Sequence, residues 1–319
     1  MKVRLKPLYD FKLRPREPFD FHLTASCYNF NWWFNGSKCI IPLSSSPPLA
    51  AVARREGPEL VVTVYGARRE QEDVAKMVEH VLGVGEDLAE FYKVAEADPI
   101  LREVPKALLG MRMRATSLWN AMLIAICQQN ASFAQGWRML CRVYKLTGKG
   151  VELDDVMTII PPSPRDLLTG RARDLLREAG LGYRAETVVR AASAVERGLL
   201  EDIEELGDEE AEERLEEVKG IGAYTARLAL VLSQRRYRLL PLDRWLERIA
   251  REVYELDDVE KGLKARWGRW CGLAVFFTTV VLDAEVLSRA LRRALAGDVK
   301  PIVQRDKLSP LTLWMHEVC

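Results

Sequence analysis

The sequence predicts an α+β protein, a small N-terminal antiparallel β domain followed by a larger all-helical domain. Three observations carry this. Apolar residues near the start alternate with polar ones, a helical period takes over near Gln71, and that period persists through the rest of the chain. With 319 residues there is room for two domains. The expected division is a β-rich part with trailing helices over 1–98 and a helical part over 99–319.

Taken in order, Phe19, Phe21 and Leu23 alternate with polar neighbours and read as a strand, as does the β-branched run 60–65. Gly36, the stretch Ser44-Ser45-Ser46-Pro47-Pro48 and Gly57-Pro58 supply turns. Val74, Val78 and Val81 then recur at helical spacing. The short polar passage Glu96-Ala97-Asp98-Pro99 reads as a joint. Ser117 is placed to cap a helix whose apolar body is Leu118, Met122, Ala125 and Ile126. Further helices are expected over 133–144, 172–179, 185–196 and 211–218.

Composition narrows the function classes. The chain is 48% hydrophobic and 29% charged, which excludes a disordered polymer. No apolar run reaches membrane-spanning length, and Met1-Lys2-Val3-Arg4 does not open a signal peptide, so a cytoplasmic address without membrane contact is expected. With 47 basic and 46 acidic residues, any contact with nucleic acid must be local rather than a global field. Cys27, Cys39, Cys127, Cys141, Cys271 and Cys319 form no Cys-x-x-Cys pair and read as reduced, mostly buried thiols. Three histidines are too few for a histidine-built centre, so neither a metal nor a cofactor is expected. Scarce Asn and Gln beside abundant Arg and Glu point to a hot-growing source.

The most informative segment runs from Leu215 through Lys219-Gly220-Ile221-Gly222-Ala223-Tyr224-Thr225-Ala226. One helix ends near Val218, two glycines flank an apolar residue, and a second helix begins at once. Glycine tolerates φ > 0 and leaves no side chain in the way of a close approach. The second helix then offers free N–H groups and a positive dipole end, where a phosphate sits without regard to sequence. A plain helix–turn–helix connection would look much the same. Downstream, Leu239-Leu240-Pro241-Leu242-Asp243-Arg244-Trp245-Leu246 places Asp243 at the start of a helix with Trp245, Ile249 and Val253 on one face. An N-cap is the simple role for Asp243, and a helix N-terminus also keeps a carboxylate ionised.

Gly-Ile-Gly-x-Tyr-Thr-Ala, with Leu-Pro-Leu-Asp ending nineteen residues after Tyr224, resembles the helix-hairpin-helix (HhH-GPD) DNA glycosylases, in their 3-methyladenine and 8-oxoguanine branches. The segments Ile126-Cys127-Gln128-Gln129-Asn130, Gly180-Leu181-Gly182-Tyr183-Arg184-Ala185 and Trp267-Gly268-Arg269-Trp270-Cys271-Gly272 extend the likeness in the same order, and Asp20-Phe21 through Phe30-Asn31-Trp32 is similar to those branches' N-terminal β domain.

The resemblance implies an enzyme that flips a damaged base out of double-stranded DNA and cleaves its glycosidic bond, acting as a monomer. Asp243 would stabilise the positive sugar and orient or deprotonate a water. Gly220 and Gly222, with Lys219, would hold phosphate. Tyr183 resembles the wedge, Arg184 the reader of the orphaned base, and Asn130 the residue filling the gap, with Gln128 and Gln129 as alternatives. Lyase-competent branches carry a Schiff-base lysine where this chain has Tyr224, and no lysine occurs from Gly220 to Glu260, so water is the expected nucleophile.

Cys27 stands where the 8-oxoguanine branch has a lesion-reading glycine, and Val275 and Thr279 where it has glutamine and phenylalanine. An aromatic pocket suits cationic alkylated purines, with Tyr224, Trp267, Trp270 and Phe276 as candidate walls, although Tyr224 is as readily a core residue and a Trp/Phe stripe at helical spacing is more often core. An 8-oxoguanine glycosylase, with or without lyase activity, is the alternative enzyme. A non-catalytic hairpin DNA-binding protein is the alternative outside enzymes. Mismatch glycosylases with a four-cysteine cluster fit less well, because only Cys271 and Cys319 follow Asp243.

Overall fold

The computed structural model describes residues 3–154 and 156–319. Its N-terminal part is built on a four-stranded antiparallel sheet, order β2-β5-β4-β3, from β2 (Pro7–Leu13), β3 (Lys38–Ser45), β4 (Pro48–Glu56) and β5 (Glu59–Gly66). The Ser-Pro and Gly-Pro stretches make the two hairpin turns, as their residue types dictate.

Alternation along these strands sorts side chains into two cores. Cys39, Ile41, Ala51, Ala53, Leu60, Val62 and Val64 face Val74, Val78 and Leu82 of helix α2 (Gln71–Leu82). Their neighbours Ile40, Ala50, Val52 and Tyr65 turn the other way, into the main core shared with the helical body. The sheet is therefore covered on both faces, and β4 reads as a nearly continuous apolar run.

The segment Phe19-Asp20-Phe21-His22-Leu23 is not the strand its alternation suggests. Asp20 accepts a hydrogen bond from the Leu23 N–H at 2.7 Å and starts helix α1 (Phe21–Ser26), which buries Phe21 and Ala25 on one side. A five-residue alternation fits both periods, and the cap decides between them.

The helical body runs through α3 (Ala89–Glu96), α4 (Val104–Ala107), α5 (Leu118–Gln128), α6 (Phe133–Thr147), α7 (Ala172–Glu178), α8 (Arg184–Glu196), α9 (Asp208–Glu216), α10 (Ala223–Gln234), α11 (Arg244–Val253), α12 (Val259–Trp267), α13 (Cys271–Val281) and α14 (Leu287–Leu295). Ser117 caps α5 as expected, and Ser132 with Gln135 forms a capping box on α6. The body is not purely helical. Strands β6 (Lys149–Leu153) and β7 (Val156–Ile160) form a hairpin after α6, and β6 pairs in parallel with β1 (Val3–Leu5). That pairing joins the first described residues to the middle of the chain, a contact no local pattern announces.

Within the polar passage 96–99, Asp98 is only 1% exposed and accepts hydrogen bonds from the Tyr254 hydroxyl and the Trp267 indole, each at 2.9 Å. A buried carboxylate is tolerable because every contact here is a donor.

Cys141 on α6 and Cys319 are joined in a disulfide across 178 residues, which corrects the expectation of six reduced thiols. The other four cysteines are free and buried. Residues so far apart in sequence meet only through the tertiary fold. No described helix is long and apolar enough to cross a membrane.

Candidate active site and nucleic-acid interface

The two glycines of the turn between α9 and α10 stand in different surroundings. Gly220 has φ +104, and a Cβ there would lie 2.3 Å from the Thr187 hydroxyl of α8. Its freedom serves the protein's own packing. Gly222, the N-cap of α10, is extended, with nothing within 4 Å of where a Cβ would project. Its missing side chain leaves open space above the helix end. The Ala226 N–H bonds back to the Gly222 carbonyl at 3.0 Å, so the N–H groups before it stay outside the helical ladder. Lys219 is exposed beside this end and forms no ion pair among the described residues. Gln129, from the end of α5, donates to the Gly220 carbonyl at 2.9 Å and the Thr225 hydroxyl at 2.8 Å. It braces the hairpin from behind rather than standing free.

Asp243 caps α11, accepting the Leu246 N–H at 2.7 Å, and lines a cavity of about 900 Å³. Burial raises its carboxyl above the usual aspartate range, partly offset by the backbone N–H groups of Leu246 and Trp245. Tyr224 lines the same cavity, and burial together with the nearby Asp243 pushes its phenol upward, so it remains a neutral hydroxyl.

Aromatics from several elements wall the cavity. Tyr28 follows α1 and stacks on Trp137 of α6, with ring centroids 5.5 Å apart and planes at 21°. Phe133 and Phe276 lie 6.0 and 5.7 Å from the Tyr28 ring. Of the residues expected at the pocket, Tyr224, Cys27 and Phe276 line it, with Val275 and Thr279 beside them. The Cys27 thiol is buried and its ionisation is pushed up, so it contributes an inert wall.

Trp270 does not line the cavity. It packs 5.8 Å from Phe91 and 6.0 Å from Tyr237, under the Arg269 guanidinium. Trp270 ends the short helical turn Gly268–Trp270 ahead of α13 and packs on Phe91 as Phe277 does, while Val275, Phe276 and Thr279 of α13 line the cavity. Trp267 is likewise core, donating its indole N–H to Asp98. Sequence reasoning missed Tyr28, Phe133 and Trp137. The last two are four apart on α6, a spacing that marks a shared face but not what that face meets.

No protein-family model matches the chain. Over 223 residues it is 22% identical to DNA-3-methyladenine glycosylase of Bacillus subtilis, covering 66% of this chain and 73% of that one. The solved 3-methyladenine DNA-glycosylase of Archaeoglobus fulgidus matches 90% of this chain and 99% of its own, with TM-score 0.68 and 22% identity. The Clostridium acetobutylicum 8-oxoguanine glycosylase/lyase gives 0.67 at 18% identity, over 91% and 98% of the two chains. The chain has the fold of the DNA glycosylases.

On this glycosylase fold, three further candidates gather at one tip. Asn130, left-handed at φ 45, ends the turn after α5, and its side-chain amide lies 3.4 Å from the Tyr183 hydroxyl. Tyr183 is 61% exposed, with the Arg184 guanidinium stacked 4.6 Å over its ring. Arg184 itself is occupied, donating to the carbonyls of Gln129 (3.0 Å through Nε) and Asn130 (3.4 Å). The exposed aromatic is available at the surface, whereas the arginine fork is engaged by backbone. Among the described residues no cluster of three or more His, Cys, Asp or Glu side chains suits a metal ion.

Proposed function

We propose that this chain is a monofunctional DNA N-glycosylase of base excision repair, placed in the cytoplasm, that hydrolyses the glycosidic bond of a flipped alkylated purine. The observation that carries the reading is Asp243, a carboxylate at a helix N-terminus on the wall of a cavity of about 900 Å³, with Tyr224 of the hairpin helix facing the same space.

The free N–H groups of α10, the open space over Gly222 and the Lys219 ammonium would hold backbone phosphates without reading sequence. Tyr183 and Asn130 would occupy the gap left by the flipped nucleotide, and Arg184 would reach the orphaned base only by leaving its carbonyl partners. In the cavity the base meets the faces of Tyr28, Trp137 and Phe276, which attract a positively charged ring. As the bond to C1′ lengthens, the Asp243 carboxylate stabilises the growing positive charge on the sugar and orients the attacking water.

Among the described residues one lysine lines the cavity, and it is not free to act as a Schiff-base amine. The lysine that lines the cavity, Lys307, is ion-paired with Glu285 at 2.7 Å and Asp283 at 3.1 Å. An abasic site is therefore the expected product.

The test uses duplexes carrying one lesion each (3-methyladenine, 7-methylguanine, hypoxanthine, uracil or 8-oxoguanine). Strand breaks that need alkali, and that fall by roughly 100-fold or more in Asp243→Asn, are expected with the alkylated purines. Breaks without alkali, trapped by borohydride, would overturn the monofunctional reading. Tight binding with no release from any duplex would leave a DNA-binding protein.

A further inference from the structure

Tyr28 and Thr279 both line the cavity, and their hydroxyls lie 2.5 Å apart. On distance alone either could donate. Thr279, however, also donates to the Phe276 carbonyl one turn back on α13, at 2.8 Å, and a hydroxyl carries a single proton. The arrangement that satisfies both contacts runs from the Tyr28 hydroxyl to Thr279 to the Phe276 carbonyl. The phenol's proton is thereby spent, and its oxygen is left with acceptor capacity only.

That oxygen is also held in place. Tyr28 adopts φ 49, its N–H donates to the Pro310 carbonyl at 2.7 Å, and its own carbonyl accepts from Arg114 at 3.1 Å. The ring is stacked on Trp137, so neither backbone nor ring is free to turn the oxygen away. Burial pushes the phenol's ionisation upward, so the hydroxyl keeps its proton and the relay keeps its direction.

We propose that Tyr28 and Thr279 form a polarised pair that selects purines carrying an amino group at C6 over those carrying an oxo group. This rests on the glycosylase reading above and names the substrate class within it. A 6-amino group donates to the Tyr28 oxygen, whereas a 6-oxo group would set acceptor against acceptor. A hydrogen-bonding site discriminates because the wrong partner leaves a buried polar atom unpaired. Thr279 acts through Tyr28 as a positioning residue, and Tyr28 meets the base.

The experiment measures free bases released from methylated DNA by the wild-type chain, Tyr28→Phe and Thr279→Val. Its readout is the ratio of released 3-methyladenine to 3-methylguanine and 7-methylguanine. Affinity for a duplex with a tetrahydrofuran abasic analogue, which has no base to read, serves as the control. The ratio is expected to fall about ten-fold in Tyr28→Phe. A fall at least as large is expected in Thr279→Val, where the freed phenol proton can donate to a 6-oxo group, with analogue affinity unchanged. Equal ratios in all three proteins would overturn the proposal and leave the functional reading standing. No release of any methylated base by the wild-type chain would overturn the reading and take this proposal with it.

Discussion

The hairpin and the aromatic cavity are assembled by different rules. The hairpin is one contiguous stretch, in which Gly220 has a left-handed backbone, Gly222 leaves open space where a side chain would project, and Tyr224 follows on the first turn of α10. The cavity takes Tyr28 from the β-rich part, Phe133 and Trp137 from α6, Phe276 and Thr279 from α13 and Asp243 from the start of α11. A local device can be written in a dozen residues. A pocket with a chosen shape needs walls brought from several elements, and those walls can change identity without disturbing the hairpin.

If the division is sound, substitutions should separate binding, folding and chemistry. The largest expected effect is that of Asp243→Asn, which retains an N-cap of equal quality and so should fold and bind abasic-analogue DNA normally while losing about 100-fold or more in base release. Parallel loss of binding would mean that the two regions are not separable. Next comes Gly220→Ala. The clash with Thr187 and the strained backbone should cost about 1–3 kcal/mol of stability, read as a lower midpoint in thermal or denaturant unfolding. Gly222→Ser sharpens the contrast, since serine is a good N-cap in extended backbone and projects into open space. Its stability should hold or rise, while DNA affinity falls because the hydroxyl competes for the N–H groups offered to phosphate. A drop in melting temperature with unchanged affinity would reverse the roles assigned to the two glycines.

The smallest expected effect is on pH dependence. In the proposed role Asp243 works ionised, and burial raises its folded-state pKa, so activity should be full above that pKa and be lost as pH falls through it. The acid limb of kcat/KM should therefore lie above the value of about 3.9 for an unperturbed aspartate, and Asp243→Asn should lack it. A limb at or below that value would show that the carboxylate is solvated when it acts.

Much of the hairpin region is legible in the amino-acid sequence. Gly-x-Gly between helical periods specifies a turn by backbone sterics alone, and Pro-Leu-Asp ahead of an apolar stripe specifies a capped helix start, so Asp243 is recognisable in both its structural and its candidate chemical role. The segment 19–23 marks the limit of such legibility, because its alternation is compatible with a strand and only the Asp20 cap makes it a helix.

The cavity is legible only as residue types. Trp270 and Phe276 lie six residues apart in one apolar stretch, yet one packs on Phe91 and Tyr237 from the turn before α13 while the other lines the cavity from α13 itself. Tyr28, Phe133 and Trp137 carry no sequence signal that tells a wall from a core. The Cys141–Cys319 disulfide and the β1–β6 pairing likewise join residues that only the folded chain makes neighbours. By itself, then, the sequence determined what is set by local backbone sterics and capping, namely the hairpin, the Ser117-capped helix start and the aspartate. Which aromatics form the cavity, which hydroxyls meet and which cysteines pair were decided by the tertiary structure, because each depends on the relative placement of elements distant along the chain.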